Sequence, residues 1–313
     1  MAKQKLVMIG NGMAGLRTIE EILERSPSQF DITIIGKEPY PNYNRIMLSN
    51  ILQKKMTVED TIMNSYDWYQ ENNIELINNE PVEKVDKENK IVTTSKGIEV
   101  EYDICIFATG SKAFVLPIPG SNLPSVIGWR TIDDTNKMIE IAQTKKRAVV
   151  IGGGLLGLEC ARGLLDQGME VTVLHLADWL MEMQLDRKAG DMLKADLEKQ
   201  GMKIELQANS KEIIGDKDVE AIKLADGRVI ETDLVVMAVG IRPYTEVAKD
   251  SGLDVNRGIV VNDYMQTSDS HIYAVGECAE HDGKVYGLVA PLYEQGKVLA
   301  DYLTGDRKST RLN

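Results

Sequence analysis

Short apolar runs alternate along the chain with longer segments whose apolar residues recur every three or four positions. Residues 6–9 form the first run, which is long enough for a buried strand. The next segment predicts an amphipathic helix, because one face carries its apolar residues Leu16, Ile19, Ile22 and Leu23. Residues 31–35 predict a second strand, so this stretch has the order strand, helix, strand.

The same order returns near the middle of the chain. Residues 147–151 and 170–174 predict strands, and the apolar face of the helix between them comprises Leu158, Ala161, Leu164 and Leu165. Further helices are predicted at residues 57–70, 187–200 and 292–303. Further strands are predicted at 75–85, 91–101, 102–108, 203–207, 219–224, 234–238, 259–261 and 271–275, with a hairpin turn at Asp226-Gly227.

A glycine-rich motif, Gly10-Asn11-Gly12-Met13-Ala14-Gly15, joins the first predicted strand to the first predicted helix. Gly10 permits a tight turn, Gly12 lets the backbone approach a pyrophosphate, and Gly15 lets the helix pack on the strand. The start of a helix attracts phosphates through its free N–H groups and its partial positive charge. Glu38 follows at the distance where an acid accepts a hydrogen bond from a ribose. The stretch therefore predicts a bound dinucleotide, and the alternative is a packing turn in an ordinary α/β protein.

A second motif, Gly152-Gly153-Gly154-Leu155-Leu156-Gly157, occupies the same place in the second stretch. Two such motifs imply two dinucleotides, and chemistry between them usually means hydride transfer from nicotinamide to flavin. The strand ends here at His175, which neither repels nor clamps a 2′-phosphate and either caps the strand or touches the cofactor. Asp178 and Glu182 can still bind the ribose, so the choice between NADH and NADPH stays open, with a small preference for NADH expected.

The charge balance and the length limit the classes of function. The net charge is 36 minus 48, or −12, and no long basic block is present, which disfavours a nucleic-acid partner. A length of 313 residues predicts about two domains. We find no signal peptide and no apolar run long enough to cross a membrane, so we expect a cytoplasmic protein with no membrane partner.

The sequence contains three cysteines, Cys105, Cys160 and Cys278, and none belongs to a Cys-x-x-Cys motif. The first lies in a predicted strand and the second in a predicted helix, which favours core packing for both. Cys278 and His281 have a spacing that suits a metal ion, but two ligands do not make a site. We therefore expect no metal.

Together these motifs resemble the pyridine nucleotide–disulfide oxidoreductase superfamily over residues 3–305. The resemblance rests on the two glycine motifs and on Ala108-Thr109-Gly110, Ala238-Val239-Gly240 and Tyr273-Ala274-Val275-Gly276-Glu277. Further segments are similar to the N-terminal flavin part of assimilatory NAD(P)H nitrite reductase large subunits. These are Asn42-Tyr43-Asn44-Arg45, Trp179-Leu180-Met181 with Gln184-Leu185-Asp186, and the segments 258–263 and 276–281.

The resemblance implies a set of binding residues for each nucleotide. FAD would be held by Gly10, Gly12, Ala14, Gly15, Glu38, Arg45, the backbone of Val82, Ala108, Thr109, Gly110, Arg130 and Glu277. NADH or NADPH would be held by Gly152, Gly154, Leu156, Gly157, Glu159, His175 and Gly240. No catalytic acid or base is required, because the flavin carries the chemistry. Glu159 is expected to position the nicotinamide amide, with a salt bridge on the helix face as the alternative.

The sequence departs from the family pattern at two positions. Glu277 replaces the Asp that commonly reaches the flavin ribityl chain, and Asn50 stands where many ferredoxin-type reductases have Lys. That lysine pairs with an acid matching Glu159, so the ion pair is expected to be absent. The first helix and residues 42–45 contain no cysteine, which disfavours disulfide reductases and NADH oxidases of the sulfenate type.

The fold implied is α/β, with two interleaved Rossmann-like domains of the glutathione-reductase type. We expect an FAD-binding domain at residues 1–112 and 242–306 and an NAD(P)-binding domain at 113–241. Residues 307–313 are expected to be a non-native tail, because residues 306–313 resemble translated adapter sequence.

The function implied is that of an NAD(P)H-dependent FAD oxidoreductase with an iron-containing electron acceptor. The acceptor would be the iron–sulfur and siroheme domain or protein of an assimilatory nitrite reductase. Two alternatives stay open: a self-contained rubredoxin or ferredoxin reductase, and a non-catalytic nucleotide-sensing interaction protein. A homodimer is compatible with the sequence, which does not determine the oligomeric state.

Overall fold

The computed structural model describes residues 3–305, so the tail expected at residues 307–313 lies outside the described part. Its helices are α1 (Met13–Arg25), α2 (Leu48–Leu52), α3 (Tyr66–Glu71), α4 (Ile132–Thr144), α5 (Leu155–Asp166), α6 (Arg187–Lys199), α7 (Glu246–Asp250) and α8 (Val289–Thr304). Within the same residues, no helix is long and apolar enough to cross a membrane.

The strands are mostly short, and their bounds follow in chain order. They are β1 (Gln4–Ile9), β2 (Phe30–Ile35), β3 (Asn42–Tyr43), β4 (Ile62–Asn64), β5 (Ile74–Ile77), β6 (Val82–Asp86), β7 (Ile91–Thr94), β8 (Glu99–Glu101), β9 (Ile104–Phe107), β10 (Ser111–Ala113), β11 (Val126–Gly128), β12 (Arg147–Ile151), β13 (Glu170–Leu174), β14 (Lys203–Glu205), β15 (Ser210–Ile214), β16 (Ala221–Leu224), β17 (Val229–Glu231), β18 (Leu234–Met237), β19 (Ile241–Pro243), β20 (Ile259–Val261), β21 (Ile272–Ala274), β22 (Ala279–His281) and β23 (Lys284–Val285).

The chain divides into two compact units, each formed from separate chain segments. The first contains the residues up to Asn44, Ile62–Lys112 and the residues from Arg242 on, and the second contains Arg45–Thr61 and Ala113–Ile241. The boundaries after residues 112 and 241 coincide with those expected from the sequence. Which nucleotide each unit binds stays a prediction.

The first unit is built on a parallel sheet with the strand order β21-β9-β1-β2-β5. Leu6 of β1 lies opposite Ile32 on one side and Ile104 on the other. The last four residues of β1 are buried, as expected for a strand covered on both faces. Helix α1 packs its buried residues Leu16, Ile19 and Ile22 into the same hydrophobic core.

The second unit repeats this design with the parallel order β11-β18-β12-β13-β14. Val149 of β12 lies opposite Thr172 of β13 and Val235 of β18. The α/β fold with two parallel sheets is therefore confirmed. In each unit the glycine motif follows a strand whose two neighbours lead in opposite directions, and such a point in an α/β sheet forms a crevice for ligands.

Small antiparallel sheets accompany the parallel ones. Strands β6, β7 and β8 form one in the first unit, and β15, β16 and β17 form another in the second. The turn between β16 and β17 contains Asp226 and Gly227, so the predicted hairpin is confirmed. The strands predicted at residues 75–85 and 91–101 therefore divide between two sheets, since β5 joins the parallel sheet and β6–β8 pair among themselves.

Residues 45–61, which the sequence assigned to the first domain, belong to the second unit. The reason is the packing of the short helix α2, whose Leu52 is buried. Gly163 of α5 has no side chain, and a Cβ there would lie 2.5 Å from Cγ of Leu52. In addition, the side-chain amide of Gln167 donates a hydrogen bond to the carbonyl oxygen of Leu52 at 2.7 Å.

The helix predicted at residues 57–70 is wrong for most of its length. A 3₁₀ turn at Glu59–Thr61 leads into strand β4, and only α3 is helical. Strand β4 pairs in antiparallel fashion with β3, so tertiary pairing overrides the local helical pattern.

Candidate functional site

The first glycine motif has little free space around two of its three glycines. Gly10 has φ +115°, and a Cβ there would lie 2.2 Å from the carbonyl oxygen of Ala108. A Cβ at Gly15 would lie 2.9 Å from that of Ala108. By contrast, a Cβ at Gly12 would meet nothing within 4 Å. The loop is therefore pressed against the end of β9 and is open at Gly12, where a pyrophosphate is expected.

The start of α1 is arranged to accept an anion. Its N-cap residue is Gly12, no side chain caps the helix, and the first turn contains no acid. The first N–H groups are thus not occupied by a capping side chain, and no carboxylate competes for the positive end of the helix. These observations fit a dinucleotide pyrophosphate.

A polar network that the sequence analysis missed holds the first glycine loop. The buried Tyr69 hydroxyl donates to Oδ1 of Asn11 at 2.8 Å and accepts the N–H of Asn42 at 3.1 Å. The side-chain amide of Asn42 donates to the carbonyl oxygen of Asn11 at 3.1 Å. Burial, as the largest influence, raises the pKa of Tyr69 to about 12, so the hydroxyl stays protonated. Strand β3, which contains Asn42, and the glycine loop are thereby fixed to each other.

The expected ribose acid, Glu38, is half-buried after β2. The Tyr43 hydroxyl donates to Oε2 of Glu38 at 2.7 Å. The backbone carbonyl oxygen of Glu38 accepts the N–H of Asn79 at 3.1 Å. The N–H of Glu80 donates to the carbonyl oxygen of Gly36 at 2.9 Å. These contacts tie the segment that leads into Val82 to the segment that carries Glu38, and both residues were expected to bind FAD.

The other expected FAD residues of the first unit lie at the end of β9. The Thr109 hydroxyl donates to the carbonyl oxygen of Tyr244 at 2.7 Å. In return, the N–H of Tyr244 donates to the carbonyl oxygen of Gly110 at 2.9 Å. The Ser111 hydroxyl donates to Oε2 of Glu277 at 2.8 Å. The longer side chain of Glu277, compared with the family Asp, therefore reaches the segment that follows Thr109-Gly110.

Gln295 of α8 is a further residue of this region that sequence reasoning missed. It is buried, and its Oε1 accepts the N–H of Gly276 at 2.8 Å, next to Glu277. Its Nε2 has no hydrogen-bond partner within residues 3–305. A polar residue on the buried face of a predicted helix was the available signal. The side chain places a buried donor beside the segment expected to meet the flavin.

The second glycine motif repeats the geometry of the first. Gly152 has φ +121°, and a Cβ there would lie 2.3 Å from the carbonyl oxygen of Ala238, whereas Gly154 faces open space. A Cβ at Gly157 would lie 1.9 Å from the carbonyl oxygen of Gly152. Helix α5 begins after Gly154 without a capping side chain or an acid in its first turn. Gly240, which follows β18, accepts the N–H of Phe114 through its carbonyl oxygen at 2.9 Å.

The structure places the remaining residues expected to bind the nicotinamide nucleotide in the second unit. Leu156 is exposed in the first turn of α5. His175 is buried against the second loop, where its Nδ1 accepts the N–H of Gly153 at 3.0 Å. Burial raises the pKa of Glu159, and a hydrogen bond from Ser49 opposes this effect. Within residues 3–305 Glu159 forms no salt bridge, and Asn50 directs its amide to the sulfur atoms of Met47 and Met56.

Arg45 and Arg130 lie together, since Nη1 of Arg45 donates to the carbonyl oxygen of Arg130 at 3.3 Å. Both belong to the second unit, whereas the first glycine loop belongs to the first unit. Their assignment to FAD stays a prediction.

Metal binding finds no support in the described part of the chain, where no group of three or more His, Cys, Asp or Glu residues could hold an ion. Cys278 is buried, with its Sγ 3.2 Å from the carbonyl oxygen of Val275. His281 instead contacts Oδ1 of Asp263 through Nε2 at 2.9 Å.

Comparison with known proteins gives a match over almost the entire chain. The family model for pyridine nucleotide-disulphide oxidoreductases matches residues 4–296. A nitrite reductase [NAD(P)H] of Bacillus subtilis is 58% identical over 305 residues, which are 97% of this chain and 38% of that protein. An assimilatory nitrate reductase electron transfer subunit of the same organism is 48% identical, over 97% of this chain and 40% of that protein. The chain thus spans less than half the length of these two relatives.

A solved structure of NADH:rubredoxin oxidoreductase from Clostridium acetobutylicum is also similar. Its TM-score is 0.82 at 32% sequence identity, and the match covers 97% of this chain and 76% of that one. This chain therefore covers a larger share of that protein than of the two relatives from Bacillus subtilis.

Proposed function

The chain belongs to the pyridine nucleotide–disulphide oxidoreductase family, and we propose that it is the electron-input part of an assimilatory nitrite reductase. It is an NAD(P)H-dependent flavoprotein oxidoreductase that uses FAD. Electrons from the nicotinamide nucleotide leave through an electron-acceptor partner. In this proposal the acceptor is an iron–sulfur and siroheme domain or protein. The observation that carries the proposal is the pair of glycine loops with the same geometry, one in each unit, combined with the extent of the likeness to the nitrite reductase.

The first unit supplies the binding site for FAD in this proposal. The open N-terminus of α1 at Gly12 binds the pyrophosphate, and the carboxylate of Glu38 accepts hydrogen bonds from the adenosine ribose. Glu277, held by Ser111, would reach the ribityl chain, and the backbone of Val82 would hold another part of FAD. FAD, when bound, takes a hydride from NAD(P)H and releases the electrons singly.

The second unit binds the nicotinamide nucleotide. The N-terminus of α5 beside Gly154 would hold its pyrophosphate, as the N-terminus of α1 would in the first unit. Glu159 is exposed, and Ser49 donates a hydrogen bond to its carboxylate. The carboxylate can therefore also accept a hydrogen bond from the nicotinamide amide. Its role is to orient the nicotinamide, because a fixed geometry of the reacting atoms lowers the barrier.

The first experiment identifies the flavin and tests Glu38. Flavin released from the purified chain by heat should be FAD, and recovery of FMN alone would contradict the proposal. Glu38→Arg should weaken FAD binding about 10- to 100-fold, because hydrogen bonds to a charged acceptor contribute about 1.5–3 kcal/mol. Glu71→Arg is the matched control, since this exposed acid lies at the end of α3.

A self-contained rubredoxin reductase is the second candidate, favoured by the larger share, 76%, of NADH:rubredoxin oxidoreductase that this chain covers. A rate comparison separates the two candidate functions. It measures the NADH-dependent reduction of purified rubredoxin and of ferricyanide at equal FAD occupancy. Rubredoxin reduction as fast as ferricyanide reduction would favour the second candidate. An FAD-loaded chain that oxidises no NADH with either acceptor would favour the nucleotide-sensing protein. A cytoplasmic location and a homodimer stay predictions from the sequence.

A further inference from the structure

The end of β13 in the second unit carries His175 where the dinucleotide fold usually places an acid for the adenosine ribose. Both nitrogen atoms of this histidine are engaged. Its Nδ1 accepts the N–H of Gly153 at 3.0 Å, which leaves the proton on Nε2. Nε2 then donates to Oε2 of Glu182 at 2.9 Å. With only 7% of its surface exposed, the imidazole is a support for Glu182 and not itself a ribose ligand.

Glu182 is fixed beside the second glycine loop by two separate contacts. Its neighbour Met181 donates its N–H to the carbonyl oxygen of Gly153 at 3.1 Å, while His175 binds the carboxylate. The Glu182 side chain keeps 35% of its surface exposed. Within residues 3–305, no second hydrogen bond or cation reaches its carboxylate. An acid thus reaches this loop from seven positions beyond His175.

The surroundings of Glu182 add further negative charge. Glu205 ends β14 and lies opposite Leu174 in the sheet. The nearby arginine Arg228 is already bound to Glu205 at 2.6 Å and to Asp226 at 2.8 Å. Arg228 thus has carboxylate partners of its own. The cation nearest in sequence to Glu182 is Arg187, which lies 3.9 Å from Asp178 and 3.8 Å from Asp191 and so also has acidic partners.

Building on the proposed function, we propose that Glu182, positioned by His175, selects NADH over NADPH. Its carboxylate accepts a hydrogen bond from a hydroxyl of the adenosine ribose and repels a 2′-phosphate. Like charges brought together in a binding site cost several kcal/mol. The FAD-loaded chain should therefore prefer the nucleotide without the 2′-phosphate by about 100-fold or more.

The test measures binding of the adenosine half alone, using calorimetry with ADP-ribose and 2′-phospho-ADP-ribose on the FAD-loaded protein. The ratio of the two dissociation constants should be about 100 or more for the unchanged chain and should fall to about ten or less for Glu182→Gln. Glu198→Gln is the control, because Glu198 pairs with Lys194 along the surface of α6. It should leave the ratio unchanged.

His175→Ala tests the positioning role through the same ratio, which a general loss of stability would not change. The ratio should fall toward that of Glu182→Gln, and the double variant should show no further decrease. An unchanged ratio in Glu182→Gln would overturn the proposal, as would independent effects of the two substitutions. The proposed function fails separately, if the unchanged FAD-loaded chain binds ADP-ribose but transfers no electrons from NADH to ferricyanide.

Discussion

At the scale of single residues, the first glycine loop meets two separate requirements: one glycine is needed for the fold and another for the ligand. Gly10 is required by the fold, since its φ is +115° and a Cβ would overlap the carbonyl oxygen of Ala108. Gly12 has φ −92° and ψ 177°, which any residue adopts, and its surroundings are empty. The fold therefore does not explain the glycine at position 12, whereas an approaching pyrophosphate does.

Gly10→Ala and Gly12→Ala should accordingly have opposite signatures. The first should lower the free energy of unfolding of the FAD-free chain by about 2–4 kcal/mol, from backbone strain and overpacking. The second should leave that free energy within about 0.5 kcal/mol and weaken FAD binding instead. Urea denaturation and FAD titration measure the two effects. Equal loss of stability in both variants would contradict the assignment of Gly12 to the ligand.

Glu80 provides a residue-scale prediction for the dependence of stability on pH. Its carboxylate is 2% exposed and binds the ammonium of Lys96 at 2.6 Å, the N–H of Lys96 at 2.8 Å and the Ser95 hydroxyl at 3.0 Å. The hydrogen bond from Lys96 is the main reason why the pKa of Glu80 is lowered from 4.5 to about 2. A carboxyl group whose pKa is lowered by folding stabilises the protein at pH values above its ordinary, unfolded-state pKa. This stabilisation is lost as the pH falls through the lowered, folded-state pKa.

The stabilisation by Glu80 should thus be complete above pH 4.5 and should disappear as the pH falls toward about 2. Glu80→Gln should lower the melting temperature at neutral pH and make it less sensitive to acid over this interval. Glu83→Gln, at an exposed neighbouring position, should retain the acid sensitivity of the unchanged chain. Parallel melting curves of the Glu80 variant and the unchanged chain across this pH range would refute the linkage.

At the scale of helices and strands, the sequence predicted best the elements around the glycine motifs. There, the apolar period, the glycine and the following strand all indicate the same structure, and β1, α1, β12 and α5 were found as expected. Helix α4 was missed, although Thr131 caps it in a capping box with Asp134. The helix predicted at residues 57–70 failed because β4 owes its conformation to β3, which is distant in sequence.

The contact between α1 and α8 allows an element-scale prediction. Gly296 of α8 faces Thr18 of α1, and a Cβ at Gly296 would lie 2.7 Å from the Thr18 hydroxyl and 3.4 Å from its Cα. Gly296→Ala should therefore destabilise the protein by about 1–2 kcal/mol. In the Thr18→Ala background the same substitution should be neutral or stabilising, since Ala favours a helix over Gly by about 1 kcal/mol.

Denaturation of the four proteins of this double-mutant cycle measures the coupling between the two positions. We expect a favourable coupling of about 1–2 kcal/mol when both residues are alanine. Additive effects would show that the two helices do not depend on the missing side chain of Gly296 for their packing.

At the scale of the whole molecule, repetition of the glycine motif predicted two Rossmann-like units, whereas the boundaries expected at residues 112 and 241 came from the family resemblance. The membership of residues 45–61 did not follow. Leu52 reads as an ordinary apolar residue, and nothing in the local sequence identifies the surface of α5 at Gly163 as its partner. Likewise, Glu182 was only one of two acids considered for the ribose, because its contact with His175 exists only in the folded chain.

The last prediction concerns what the chain can do by itself. With FAD bound, it should pass electrons from NADH to ferricyanide or a viologen dye and should form no ammonia from nitrite. That reduction requires six electrons, whereas one flavin holds two at most. The three cysteines are too few for a cluster held by four thiolates, and burial raises the pKa of each thiol, so they stay protonated. Ammonia assays should be run with excess NADH and added FAD. Ammonia above the level of a protein-free control would show that the chain contains a reducing site that neither its sequence nor its fold indicates.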